Sequence, residues 1–382
     1  MRAVALKMLL GDSAKYLALV FGVAFATLLM SQQVSIFIGL MTRTANQVID
    51  VREADVWVMD PRVRYADEVE PLPDAALGRV RSVAGVEWAV PLFKGLAIFR
   101  TQDGLINQVS LVGVDDESLV GAPREWIAGH LDALRQPGGI VFDREGAQLI
   151  WPDDGDVAAR IGTEAEINDR RVKVTGIVNA SAPFITFPIG YMRYSEVMRL
   201  TPPQRNKLSF VLVRAAHGES PAALAERISR ETGLQALTWD QFAWRSVLYY
   251  VTRTGIPVNF GITVLLGFIV GAAVTAQTFY LFVIENLRQF GALKAIGATN
   301  RQIGSMVLLQ AAVVGAMGYG LGIGGSALFF TFVRGGAALE GFRLPWYVLV
   351  GTAVIIAVVI LLSVLGSLIK VFRVDPAIVF RG

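Results

Sequence analysis

The chain has no cysteine among its 382 residues, and its two histidines, His130 and His217, lie far apart. The first absence excludes disulfides and thiolate metal sites, and it suits a domain exported without redox protection. The second leaves no ligand set for zinc. Charge is also scarce: 18% of residues are charged and 53% hydrophobic, with a mean hydropathy of +0.50. A soluble globular chain carries about 25% charge, so this composition belongs to the membrane class. Nowhere does G-x-x-x-x-G-K-[ST] occur, so no P-loop cradles phosphates, and ATP-driven work needs a second polypeptide. No Ser/His/Asp or Cys/His constellation is present either, and His130 reads as a surface residue. The chain is expected to be non-catalytic.

Charge disappears altogether from four windows, 16–41, 258–284, 303–333 and 344–369. Each exceeds the ~20 apolar residues that cross a bilayer core, so each predicts a transmembrane helix. "AFA" at 24–26 resembles a signal-peptide cleavage site, but a signal h-region is only ~7–15 residues and this apolar run continues past it. The first span is expected to be an uncleaved anchor. Spans without ionisable groups argue against proton or sodium coupling. Gln32, Gln33, Gln277 and Gln310 are expected to hydrogen-bond between helices. In the third span "GYGLGIGG" looks like a nucleotide loop, yet it follows no strand and lies inside an apolar run. Gly315, Gly318, Gly320 and Gly322 are instead expected to let a neighbouring helix approach closely.

The short flanks 1–15, 285–302 and 370–382 together hold nine basic and three acidic residues, whereas 42–257 holds 24 basic and 28 acidic. Short basic flanks stay in the cytoplasm, and a long domain can cross whatever its charge. Both termini and 285–302 are therefore expected in the cytoplasm, with 42–257 and the loop 334–343 outside. The pI near 9.1 reflects flanks beside lipid headgroups, and no nucleic-acid partner is expected.

The external segment reads as α+β. "ADVWVMD" (54–60) alternates as a strand, "PLPDAALGRVRSV" (71–83) has helical spacing, and two β-rich runs (86–100 and 105–114) flank the turn "TQDG". Near its end, "LSFVLVRA" and "LQALTWD" read as strands around the helix "SPAALAERISRETG", with Ser220 as cap and Pro221 in the first turn. Residues 124–200 read as a β-rich insertion made of "GGIVFDREGAQLI", "GTEAEINDRRVKVTGIV" and "FITFPIGYMRY". Asp153, Asp154 and Asp156 in "WPDDGD" lack the closing Glu of a calcium loop and read as a solvated turn. The fold class expected is an α-helical membrane protein with four transmembrane helices and a large α+β extracytoplasmic domain between the first and second.

One polar stretch stands out, "ENLRQFGALKAIGATNRQI" (285–303), with Arg288, Lys294 and Arg301 against the single acid Glu285. Its first part reads as a short cytoplasmic helix stopped at Gly297, and Thr299 with Gln302 as a capping box opening the third span. Gly291 and Ala295, four apart, are expected to form a small-residue notch bordered by Arg288 and Lys294. Exposed apolar and basic surface at a membrane edge suits either protein docking or anionic headgroups.

This stretch resembles the cytoplasmic segment of FtsX-like, MacB-type ABC transporter permeases, whose pattern runs roughly E-R-x-x-E-I-G-x-x-K-A-I-G-A. Glu285, Arg288, Gly291, Lys294, Ala295, Ile296, Gly297 and Ala298 supply it here. The tail "VDPAIVFRG" (374–382) and the order of one span, an external domain and three spans resemble the family too. Asn286, Gln289 and Phe290 depart from the pattern, which leaves the identity of the ATPase open.

The resemblance implies that the stretch is a coupling helix seated on a separate ABC ATPase, which binds ATP and Mg; no cofactor is implied on this chain. It also implies a second permease protomer, identical or related, a periplasmic membrane-fusion adaptor, and a place in the bacterial inner membrane. The implied function is a permease subunit of an exporter, in which ATP hydrolysis moves the external domain to expel a lipid, peptide or other amphipathic cargo. The alternative is an FtsX-like signalling protein that activates external partners without transport. Single cysteines at Ser110 and Asn300 should react with an impermeant maleimide from opposite sides of the membrane. Labelling of both from outside would overturn the orientation.

Overall fold

The computed structural model describes residues 2–11, 13–73, 75–152, 155–185, 187–202, 207–333 and 342–372. Asp153 and Asp154, the tail 374–382 and all but the last two residues of the loop 334–343 lie outside these. The helices are α1 (Arg2–Leu10), α2 (Ser13–Arg43), α3 (Asn46–Asp50), α4 (Ala76–Arg81), α5 (Arg144–Ile150), α6 (Tyr194–Leu200), α7 (Pro221–Thr232), α8 (Trp239–Arg253), α9 (Ile256–Glu285), α10 (Leu287–Ala295), α11 (Asn300–Val333) and α12 (Trp346–Phe372). The strands are β1 (Val56–Met59), β2 (Val86–Thr101), β3 (Ile106–Val114), β4 (Trp126–Ala128), β5 (Gly139–Asp143), β6 (Glu164–Ile167), β7 (Arg170–Val178), β8 (Ile189–Arg193), β9 (Phe210–Ala215) and β10 (Gln235–Thr238). Two compact units result, one containing 40–254 and the other the described residues on either side.

The first unit is α+β. Its sheet runs β10-β1-β9-β2-β3-β8-β5-β7-β4, with β6 paired to β2 and β7. The long strand β2 holds it together: Val86 to Leu92 pair with β9, and Phe93 to Arg100 pair with β3. β1 is buried along its whole length because both of its faces are covered. Trp57 packs on Phe210 and Phe242 on one side, while Val56 and Val58 join Val80, Leu224 and Ile228 of the helices on the other. Beyond β2 a second core forms around Phe99, Phe142 and Trp151, whose rings meet edge to face at 5.0–6.1 Å. Burying each such ring contributes roughly 1.5–3 kcal/mol.

The segment 124–200 holds the strands β4 to β8, in keeping with a β-rich reading, and also carries the helices α5 and α6; its strands β8 and β6 join the common sheet beside β3 and β2. "REGAQLI" is a helix because Asp143 caps it, accepting the Gly146 N–H at 2.9 Å. The same carboxylate accepts the Ile189 N–H at 2.7 Å, tying β8 to the start of α5. Ser220 stands at the N-cap of α7 but makes no side-chain cap hydrogen bond; Pro221 starts this helix and Gly233, at φ +70°, ends it. Ser110 proves to be buried in β3, so the exposed turn residue Gln102 is the better site for external labelling.

The second unit holds four helices long and apolar enough to cross a membrane, Ser13–Arg43, Ile256–Glu285, Asn300–Val333 and Trp346–Gly366. Glycines set their spacing. A side chain at Gly318 would lie 2.6 Å from Val23, and one at Gly322 would lie 2.5 Å from the Ala24 carbonyl, so α2 and α11 touch nearly backbone to backbone. Gly315 makes way for Ile360 of α12. Gly320 does not share this role: a side chain there would meet no atom within 4 Å. Two residues of helix turn it about 200° away from the Gly318 and Gly322 face. The N-terminal segment, expected only as a flank, forms α1, which Gln310 ties to α11 through a 2.8 Å hydrogen bond to the Ala5 carbonyl.

Burial pushes the Asp143 carboxyl up to about 6, against the pull of its backbone N–H donors. That lies above the ordinary 3.8, so between about pH 4 and 6 the folded chain holds this proton more firmly than the unfolded one. The group's contribution to stability therefore falls as pH rises through that window and is constant above it. Relative to Asp143→Asn, the parent should lose roughly 2–3 kcal/mol between those limits, read from melts of the full chain in nanodiscs. Parallel pH profiles for the two proteins would contradict this.

Candidate functional site

The polar stretch between α9 and α11 folds into a braced corner. α9 ends at Glu285, and Asn286 forms the joint, its side-chain amide donating to the Phe282 carbonyl at 2.8 Å. Glu285 pairs with Lys15 at the start of α2. α10 follows at once and is seated by Phe290, which is fully buried in a cluster with Leu9, Phe282, Val283, Ile303 and Val307. Phe290 takes the place of an aliphatic residue in the expected pattern, and its ring is what fixes this helix to the bundle.

The end of α10 is closed by backbone geometry. Gly297 sits at φ +100°, a region that favours glycine. The Ala298 N–H donates to the Leu293 carbonyl and the Gly297 N–H to the Lys294 carbonyl, both at 2.9 Å. This pair of bonds is a Schellman motif, with Ala298 packed back on the apolar cluster. Thr299 and Gln302 then cap each other reciprocally at 2.9 and 3.3 Å and start α11. Lys294 donates to the carbonyl of Phe372, the last residue of α12, at 3.1 Å. A cation beside a helix C-terminus is favoured by the exposed carbonyls there.

These constraints decide which expected residues face outward. Arg288, Ala295, Ile296 and Gly297 are exposed, and Ile296 shows 85% of its surface. Glu285 is exposed beside its Lys15 partner, whereas Lys294 and Ala298 are half-buried. Gly291 is buried beside Phe290. The notch expected at Gly291 and Ala295 is therefore not one outward surface, since the side of α10 that carries Phe290 faces the bundle. Gly315, Gly318 and Gly322 lie along α11, away from this corner. Lys15 and the α1 helix were not anticipated; the spacing of the buried Ala5 and Leu9, four apart, was the available signal.

The corner thus presents an apolar tip, Ile296, on a rigid turn, with Arg288 on α10 and Arg301 at the start of α11 also exposed. No cluster of three or more His, Cys, Asp or Glu able to hold a metal occurs among the described residues.

Comparison with known proteins matches two families in chain order. The MacB-like periplasmic core domain matches residues 16–231, and the FtsX-like permease C-terminal domain matches 261–376. An uncharacterized ABC transporter permease of Mycobacterium tuberculosis, in strains CDC 1551 and H37Rv, is 25% identical over 258 residues. The match covers 66% of this chain, and the chain spans 64% of the length of those relatives. Among solved structures, the periplasmic region of MacB from Actinobacillus actinomycetemcomitans aligns with TM-score 0.38 at 13% identity, over 50% of this chain and 92% of its own. The extracellular domain of the noncanonic ABC-type transporter YknZ from Gram-positive bacteria aligns with TM-score 0.35 at 14% identity, over 48% and 98%. At such scores the family matches, not these structures, carry the assignment.

Proposed function

The chain belongs to the MacB- and FtsX-type family of ABC transporter permeases, and from that premise we propose that it is the permease subunit of an exporter driven by a separate ATPase. ATP and Mg bind to that partner, and this chain carries out no chemistry. It sits in the bacterial inner membrane with both termini in the cytoplasm and works with a second protomer, identical or related. A membrane-fusion adaptor meets the external domain. ATP-driven movement passes through the spans to that domain, which expels a lipid, peptide or other amphipathic cargo.

The observation that carries the coupling step is the 85% exposure of Ile296 on a doubly capped turn, with Arg288 exposed nearby. An apolar side chain held out in water by a rigid backbone is costly alone and useful at an interface. Anchors of this kind dominate binding when they enter a pocket. Gly291, being buried, serves the seat of α10; the docking surface is the corner beyond it.

Ile296→Asp combined with Arg288→Glu should abolish co-purification with the ATPase from detergent or nanodiscs, leave membrane insertion intact, and remove permease-dependent ATP hydrolysis. Undiminished co-purification of the double variant would refute the role of the corner.

A further inference from the structure

The contacts between α2 and α11 repeat at every turn. A side chain at Gly318 would lie 2.6 Å from Val23, one at Gly322 would lie 2.5 Å from Thr27, and Ser326 shares its 2.7 Å hydrogen bond with Ser31. Val23, Thr27 and Ser31 on one helix thus meet Gly318, Gly322 and Ser326 on the other, each residue four after the last. The two helices run in the same direction, because the pairs advance together. Residues four apart form the ridges along which helices interlock.

The row on α2 extends one position further. Ser35, four residues after Ser31, is fully buried, and its hydroxyl has no hydrogen-bond partner. Leaving a buried hydroxyl unpaired is costly. Moving α11 by four residues, about 6 Å, toward the end of α2 that carries Ser35 brings Ser326 opposite that hydroxyl. Gly322 then faces Ser31 and Gly318 faces Thr27, so these hydroxyls lie against glycine as Thr27 does now. The opposite move sets the large Phe330 against Ser31 and leaves Ser35 unpaired. One alternative register therefore suits the row, and its mismatch is at Val23, which exchanges Gly318 for Val314.

We propose that α2 and α11 form a two-position ratchet, sliding by one turn between the register seen here and a second in which Ser326 bonds to Ser35. Packed elements are bistable in this way when two arrangements satisfy the same contacts. Gly22 and Gly271 interlock α2 with α9, while Gly315 and the Tyr319 hydroxyl hold α11 to α12, so the row joins two helix pairs. The valine mismatch makes the second register the minor one, and a partner that binds it better draws the chain into it. Here the inference deepens the exporter reading and rests on it: ATP bound to the partner ATPase selects the second register. The two positions themselves do not depend on that reading.

Because the chain has no cysteine, disulfide trapping in the full chain in nanodiscs can tell the registers apart. A disulfide needs Cα atoms within about 7 Å, so a pair one turn out of register stays open. Ser31→Cys with Ser326→Cys should close in the resting chain, read by mass spectrometry of the linked peptides. Ser35→Cys with Ser326→Cys should close weakly there. It should close several-fold more in a Val314→Ala background, which relieves the mismatch, and several-fold more when the ATPase is trapped with ATP by vanadate. Ser35→Cys with Gly322→Cys, out of register in both positions, should stay open throughout. If Val314→Ala gives no Ser35–Ser326 link while the Ser31–Ser326 pair closes normally, the register is fixed and the ratchet is overturned. Closure of the Ser35–Gly322 pair alongside the others would mean loosely packed helices and would overturn it too. A Ser35–Ser326 link that Val314→Ala raises and ATP does not would uphold the two registers and overturn their control by the ATPase.

Discussion

The helical unit depends on how closely α2 can approach its neighbours. Lipid tails are as apolar as leucine, so helices in a bilayer gain little from hydrophobic burial and associate through close packing and a few hydrogen bonds. On one side α2 meets α11 through Gly318 and Gly322, and Ser31 shares a 2.7 Å hydrogen bond with Ser326. On the other, Gly22 makes room for Val274 of α9 and Gly271 makes room for Ala26. Every one of these contacts would be pushed apart by a single added carbon.

At the other end of α9 the demands change from packing to polar satisfaction. Glu285 has Lys15, the last carbonyl of α12 has Lys294, and the orphan groups between α10 and α11 are absorbed by the Schellman turn and the capping box. With Phe290 buried beneath, little freedom is left to the corner that carries Ile296. Rigidity there has a physical use: a surface that is already ordered loses less entropy on binding.

Much of this was legible in the residues. The charge-free windows gave the four long helices, "TQDG" gave the β2–β3 turn, and Gly297, Thr299 and Gln302 gave the local geometry of the corner, because caps and turns depend on neighbours in sequence. Non-local facts were not legible. That Gly291 faces inward and Gly320 faces no neighbour follows from which helices pack together, and spacing alone does not determine this. The short helix α5 was missed because its apolar residues also suit a strand; what decides is Asp143, whose carboxylate is held by a strand far away in sequence. The order of strands in the sheet, with β9 and β10 returning to flank β1, is likewise a matter of long-range pairing.

The central claim is that the corner after α10 is the seat of an ATPase. It is tested most directly by replacing Ile296 with a photoreactive amino acid and irradiating membranes that contain both proteins. A covalent adduct between this position and the ATPase is expected, and none from the same probe placed at Gly320, an open position on a span. Adducts from Ile296 to lipid alone, in membranes where the ATPase is abundant, would contradict it.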